Sequence, residues 1–260
     1  GRTRARSSTP SGWAAAGLER STVAKFMSEI DLTRAETHFA FGRNWASYAQ
    51  SVAETEIKEA EIGLLRLLGG EPPQVTRFLD IGSGSGLHSL AALRLGASHV
   101  HAIDIDEDSV ATTRALLSRF AHDRDWQVVH ASVFDLSPES LGEFDLVYSW
   151  GVLHHTGDVN RAVRCAARLV RPGGLFLFAL YRRVWADFFW RVEKRWYAKA
   201  SPAAQARARA VYTASFRIWF RLTGRRFDDY QAGYRSNRGM EFQHDVHDWM
   251  GGWPYESVAP

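Results

Sequence analysis

The sequence predicts an α/β protein: a doubly wound, mostly parallel sheet with helices ahead of it and a helical lid inserted after the fifth strand. Two observations carry this. Residues 78–107, FLDIGSGSGLHSLAALRLGASHVHAIDIDE, read strand, glycine turn, helix, strand and acidic tip, the first crossover of a parallel sheet. From there short apolar runs and helical spacings alternate as far as Tyr181, as a doubly wound sheet requires.

Four segments follow from composition and spacing. Residues 1–20 hold Arg2, Arg4, Arg6 and Arg20 against the single acid Glu19 and read as a disordered basic tail. A transit peptide has similar composition; the missing initiator Met favours the tail. Residues 21–73 form a helical cap. Ser21 caps a helix to Leu32; Phe39, Phe41, Trp45 and Tyr48 cluster at irregular spacing; and residues 51–68 form a second helix that ends at Gly69-Gly70. Residues 74–181 are the core, with strands at 77–81, 99–103, 127–131, 145–149 and 175–180 and a helix from His88 to Leu95. Residues 182–260 are a helical lid and an aromatic C-terminal segment. In the lid Val184, Trp185, Phe188, Phe189, Val192 and Trp196 recur at helical intervals, and Tyr212, Phe216, Trp219 and Phe220 line one face of a helix opened by Pro202. Ordinary helix packing accounts for most of the set Trp185, Phe189, Trp196, Phe216 and Trp219.

The glycine turn discriminates between ligands. A dinucleotide site needs G-x-G-x-x-G, so that a pyrophosphate rests on the helix N-terminus. The sixth position counted from Gly82 is Leu87, and from Gly84 it is Ser89. The spacing is G-x-G-x-G, and Asp80 precedes it. An acid there suits a cationic ligand such as S-adenosylmethionine and repels a pyrophosphate. Asp104, at the tip of the second strand, is placed to accept both hydroxyls of a ribose.

Residues 78–86 resemble the first motif of class I S-adenosylmethionine-dependent methyltransferases. HASVFDL (130–136), FDLVYSWGVLHHTGD (144–158) and RLVRPGGLFLFALY (168–181) resemble the later motifs of that family, in order. The whole, with FAFGRNWASYA at 39–49, is similar to the small-molecule branch that includes ubiquinone-biosynthesis and natural-product methyltransferases. The resemblance implies cofactor contacts from Asp80, Gly82, Ser83, Gly84, Gly86, Asp104, Ile105, Ser132, Val133 and Trp150. The adenine position that usually carries an acid is Ser132 here, so either Ser132 or Asp135 would supply that contact. The family normally adds a sixth and a seventh strand; neither is evident. Either the sheet is incomplete or the natural chain continues.

Methyl transfer to a hydroxyl needs a proton acceptor, and histidine suits that task. His154 and His155 follow the fourth strand. His154 resembles in position the base of plant small-molecule O-methyltransferases, and it could equally cap a helix; for His155 the structural role is the simpler reading. His244 and His247 of HDVHDW are three apart and would share a helix face. They could orient a substrate or act as base, although a solvated turn with Asp at a helix start is the plainer expectation. No metal site is expected. GGWPYE, residues 251–256, could close over a substrate.

Composition bounds the rest. The 260 residues are 45% hydrophobic and 23% charged, with one cysteine, Cys165. That excludes a disulfide framework and points to the cytoplasm. The net charge of +3 hides a segment, 181–226, that carries +10 and leaves −7 for the remainder. The partner expected is a small molecule of acidic, aromatic or lipid-like character, with peripheral membrane contact as a further role for the basic lid. The function expected is S-adenosylmethionine-dependent methylation of a small molecule at oxygen. Nucleic-acid methylation and a cofactor-binding scaffold without turnover are the alternatives. The first lacks the Asp/Asn-Pro-Pro-aromatic turn after the fourth strand.

Overall fold

The computed structural model describes residue 39 and residues 41–70, 75–238 and 242–259. The expected tail and the helix over 21–32 lie outside these residues.

Five parallel strands form one sheet in the order β3-β2-β1-β4-β5. They are β1 (Arg77–Ile81), β2 (His99–Asp104), β3 (Asp125–His130), β4 (Phe144–Trp150) and β5 (Val170–Ala179). Side chains alternate across the sheet. Phe78, Val100, Leu146 and Tyr148 enter one apolar core, under the helices α1 (Phe41–Gln50), α2 (Glu54–Leu67), α3 (Leu87–Arg94) and α4 (Glu107–Phe120). Leu79, Ile81, Ile103 and Val147 enter the other. A short helix α5 (Pro138–Leu141) precedes β4, and α6 (Val159–Ala167) covers the second core. Cys165 lies half-buried on α6.

The cap departs from expectation. The helix foreseen over 51–68 begins at Glu54, where the Glu56 carboxylate accepts the Ala53 N–H at 2.8 Å. Phe41, Trp45 and Tyr48, taken as irregular, stand at i, i+4 and i+7 on a helix of their own, α1; only Phe39 lies outside it.

β5 begins five residues earlier than the apolar pattern indicates. Phe144 pairs with Val170 and Leu146 with Leu175, so residues 171–174 bulge out of the ladder. Pro172-Gly173-Gly174 therefore interrupts a strand already started. At this N-terminal edge the Asp145 carboxylate accepts the N–H groups of Thr76 at 3.0 Å and Arg77 at 2.7 Å, and it also binds Arg171. Three strands are tied at one side chain. Among the described residues no sixth or seventh strand pairs with β5, and only an isolated bridge joins Arg182 to Val258.

Beyond β5 the chain is helical: α7 (Asp187–Lys199), α8 (Pro202–Leu222), α9 (Phe227–Arg238) and α10 (Phe242–Gly251). A third core joins Tyr197, Phe220, Phe227, Tyr234, Phe242, Val246 and Met250 to Phe39. HDVHDW is accordingly no solvated turn. It lies within α10, because Phe242, Val246 and Met250 repeat every four residues and bury one face. The packing expected of the lid aromatics fails as well: Trp185, Phe189, Trp196 and Trp219 are exposed, and only Phe216 of that group packs on the third core. Trp219 thus leaves the face shared by Tyr212, Phe216 and Phe220. Among the described residues no helix is long and apolar enough to cross a membrane.

Candidate active site

The carboxyl ends of β1, β2 and β4 converge on the glycine turn. Gly82 and Gly86 have φ of 79°, a region side chains avoid. A Cβ on Gly82 would run into Val152, and one on Gly86 would lie 2.9 Å from Thr113. Thr113 also locks the turn by hydrogen bonds to Ser83 Oγ at 3.0 Å and to the Gly84 carbonyl at 3.1 Å. From above, the Trp45 indole comes within 3.1 Å of where a Gly84 Cβ would stand.

Two carboxylates flank this turn. Asp80 is buried and accepts the Ser89 hydroxyl at 2.6 Å; burial pushes its pKa up to about 7, and the charge of Asp104 adds to the rise. Asp104 accepts the N–H groups of Gly84 at 2.9 Å and Asp106 at 3.0 Å. Lost solvent still raises it to about 6. Among the described residues no cation offsets either charge. Each Asp104 oxygen keeps a second lone pair for a hydroxyl donor. A ligand with a cationic end and a ribose diol fits this donor set, whereas a pyrophosphate meets only negative charge.

The other residues implied by the resemblance fall along the same edge. The Ile105 carbonyl meets His130 Nε2 at 2.7 Å. Ser132 Oγ accepts the Phe134 N–H at 3.3 Å and so caps the helical turn Val133–Asp135, where Val133 is buried and Asp135 exposed. Trp150 is about half-exposed and stacks on Tyr148 at 6.2 Å.

Past β4, Leu153–His155 make one helical turn. His154 is buried between the rings of Tyr181 at 3.8 Å and His155 at 4.2 Å. Neither of its ring nitrogens has a hydrogen-bond partner of good geometry, although the Ala179 backbone comes near. Burial holds its pKa far below the ordinary imidazole value. His155 is only half-buried and its Nδ1 lies 2.7 Å from the Pro254 carbonyl. A carbonyl only accepts, so Nδ1 carries the proton and Nε2 keeps its lone pair. Burial lowers the His155 pKa to about 4, which leaves the ring neutral near pH 7. The GGWPYE segment does fold onto this ring, with Gly252 beside it.

The His pair of α10 is separate from this ring pair. His247 Nδ1 lies 2.7 Å from the Tyr197 hydroxyl and 3.0 Å from Arg209 Nη1, which itself donates to that hydroxyl at 2.6 Å, and burial lowers the His247 pKa to about 4. A run of ring contacts, His247–Phe39–Phe41–His155, joins the two groups. The backbone of His244 accepts from Asn44 Nδ2 at 3.2 Å, and the same amide donates to Asp248 at 2.8 Å. Burial raises Asp248 to about 8, so it is largely protonated at neutrality. Among the described residues no cluster of three or more His, Cys, Asp or Glu is placed to hold a metal. Asn44 and Tyr181 have no local signature in the sequence. Lys194 has one: its spacing to Trp190 and Tyr197, i+4 then i+3, sets it on the buried face of α7.

Residues 79–178 match a family model described as a methyltransferase domain. That stretch, from β1 to β5, is similar to methyltransferase domains. The domain is similar to ubiquinone biosynthesis O-methyltransferases. That of Xanthomonas axonopodis pv. citri is 33% identical over 159 residues, 60% of this chain and 65% of its own length. That of Xanthomonas oryzae pv. oryzae is 41% identical over 107 residues, 41% and 44% of the two chains. That of Aromatoleum aromaticum is 34% identical over 116 residues, 45% and 48% of the two. The matches thus span between 44% and 65% of these relatives' own length.

Proposed function

We propose that this protein transfers the methyl group of S-adenosylmethionine to an oxygen of a small molecule, with His155 as proton acceptor. The observation that carries the proposal is the His155–Pro254 hydrogen bond. It leaves a basic nitrogen at the end of β4, three residues after Val152, which itself packs on Gly82 of the glycine turn. The bound cofactor supplies an electrophilic methyl group. The protein's part is to hold, align and deprotonate.

In this reading Asp80, Ser83 and the backbone of Gly82, Gly84 and Gly86 face the cationic amino-acid end, and Asp104 takes the ribose hydroxyls. Ile105, Ser132 and Val133 flank the adenine, and Trp150 lies near the methyl group. His155 Nε2 accepts the proton of the attacking hydroxyl. His154 holds the ring of His155 in place, which reverses the emphasis of the sequence motif. The neighbouring rings Phe41 and Tyr181 favour an aromatic or lipid-like acceptor. His244 and His247 hold α10 against the cap and α8 instead of taking a proton. A reducing compartment such as the cytoplasm belongs to the same proposal, supported by the single free cysteine.

The test pairs binding with turnover. Calorimetry should give micromolar affinity for S-adenosylmethionine and S-adenosylhomocysteine and none for NAD. Mass spectrometry of a panel of catechols and phenols should then show a product one methyl group heavier. His155→Gln should lose turnover at least a hundredfold and keep its affinity for S-adenosylhomocysteine. An active His155→Gln enzyme removes the base assignment; affinity for NAD alone removes the whole reading.

A further inference from the structure

We infer that the outer face of α7 is a docking surface for an anionic phospholipid bilayer. The inference does not rest on the methylation reading. Two ridges run side by side along this helix, each stepping four residues. Phe188, Val192 and Trp196 form one, exposed at 80%, 55% and 53%, with Trp185 at 98% on the turn before. Arg191, Arg195 and Lys199 form the other, all exposed. Among the described residues no carboxylate pairs with these three cations; the nearest acids in sequence, Asp187 and Glu193, are turned to Ser257, Tyr255 and Lys194.

The helix has already met its packing needs on the opposite side. Lys194 and Tyr197 are fully buried there, so the exposed ridges are spare and the core does not require them. Thirteen residues present a strip about 20 Å long. Tryptophan, phenylalanine and long basic side chains mixed on one face suit the headgroup–acyl boundary, where rings bury and cations meet phosphate. A shallow groove of about 390 Å³, lined by Val192, Arg195, Trp196, Lys199 and Ala200, would receive one headgroup with its phosphate on Arg195 and Lys199. Charge complementarity decides for lipid: segment 181–226 carries +10. A self-contact of two such faces would set like charges together. A nucleic acid would leave the protruding Trp185 and Phe188 without an apolar medium.

The test is vesicle co-sedimentation of the full chain with phosphatidylcholine alone and with phosphatidylcholine containing 30% phosphatidylglycerol. Three basic residues at the surface predict a preference for anionic vesicles on the order of a hundredfold at low salt, largely lost in 0.5 M NaCl. Trp185→Ser with Phe188→Ser should lower partitioning at least about tenfold, and separately Arg191→Glu with Arg195→Glu should lower it by about a hundredfold, abolishing the anionic preference. All four sites are exposed, and the circular dichroism melt of each variant should match the parent. Equal binding to both vesicle types, or unchanged binding by either variant, overturns the inference. So does full competition by millimolar soluble glycerophosphoglycerol, which would mark a free-anion site. A lipid-independent dimer abolished by the aromatic substitutions, or a single-stranded RNA that displaces the vesicles, also overturns it.

Discussion

Lys194 donates a hydrogen bond to the carbonyl of Trp249 while its ammonium lies 3.8 Å over the ring of that same residue. One buried cation thereby joins α7 to the last turn of α10. Glu193, 3.9 Å away, is its only carboxylate among the described ion pairs.

Removing the cation leaves Glu193 without its counter-charge, with both carboxylate oxygens buried and unpaired. Lys194→Met is expected to cost about 3 kcal/mol in urea unfolding. Adding Glu193→Gln should recover most of that loss. A cycle in which the two changes simply add would show that the pair is not coupled.

Buried histidines and buried carboxylates should pull stability in opposite directions as pH rises. His155 and His247 have folded pKa values lowered to about 4. At these two sites the unfolded chain binds more protons between pH 4 and 6.5, so their contribution to stability rises with pH across that window. Asp248 is raised to about 8. The folded state holds the extra proton from about pH 4 to 8, so its contribution is present at low pH and lost as pH rises to 8. Above pH 6.5 only the carboxylate slope remains, about 1.4 kcal/mol per pH unit for each group still protonated, Asp80 up to about pH 7 and Asp248 up to about pH 8. Asp248→Asn should flatten the fall between pH 6.5 and 8 in denaturant titrations; an unchanged slope would clear Asp248 of it.

Cofactor affinity should climb with pH. Asp80 and Asp104 sit at about 7 and 6 without a ligand, and a cationic ligand favours their ionised forms. Affinity for S-adenosylmethionine is expected to rise about tenfold per pH unit between pH 5 and 6 and to level off above 7. Protons should be released on binding, measurable by calorimetry in buffers of different ionisation enthalpy. Asp104→Asn should weaken binding and reduce the release. Affinity independent of pH from 5 to 7 would place the ligand away from both acids.

Gly86 tolerates no side chain. Its φ is 79° and a Cβ would press on the Thr113 side chain and backbone. Gly86→Ala should cost roughly 1–3 kcal/mol in thermal or urea unfolding and abolish cofactor binding. Gly63→Ala makes the control: it lies inside α2 with open space around it, and it should be neutral or slightly stabilising.

What the sequence disclosed was local. The glycine turn, Asp80, Asp104 and the strand ends are set by backbone demands within thirty residues, and they read directly as spacing. The contacts that orient the second half of the site join residues about a hundred or two hundred positions apart: His155 to Pro254, and Asn44 to Asp248. No period records them. The lid shows how a real pattern misleads. Both stripes of α7 are helical, but hydrophobicity picks Trp185, Phe188, Val192 and Trp196 as the inner one, while the fold buries Lys194 and Tyr197, with partners from α10 and α8. A lysine reads as surface until its carbonyl and its ring are known.

Asp145 clasps the starts of β1, β4 and β5 at the end of the sheet opposite the glycine turn. That end is a foundation, and the candidate site hangs from the other. Changes in the loops after β4 and in the helices beyond β5 therefore leave the clasp on the strands untouched.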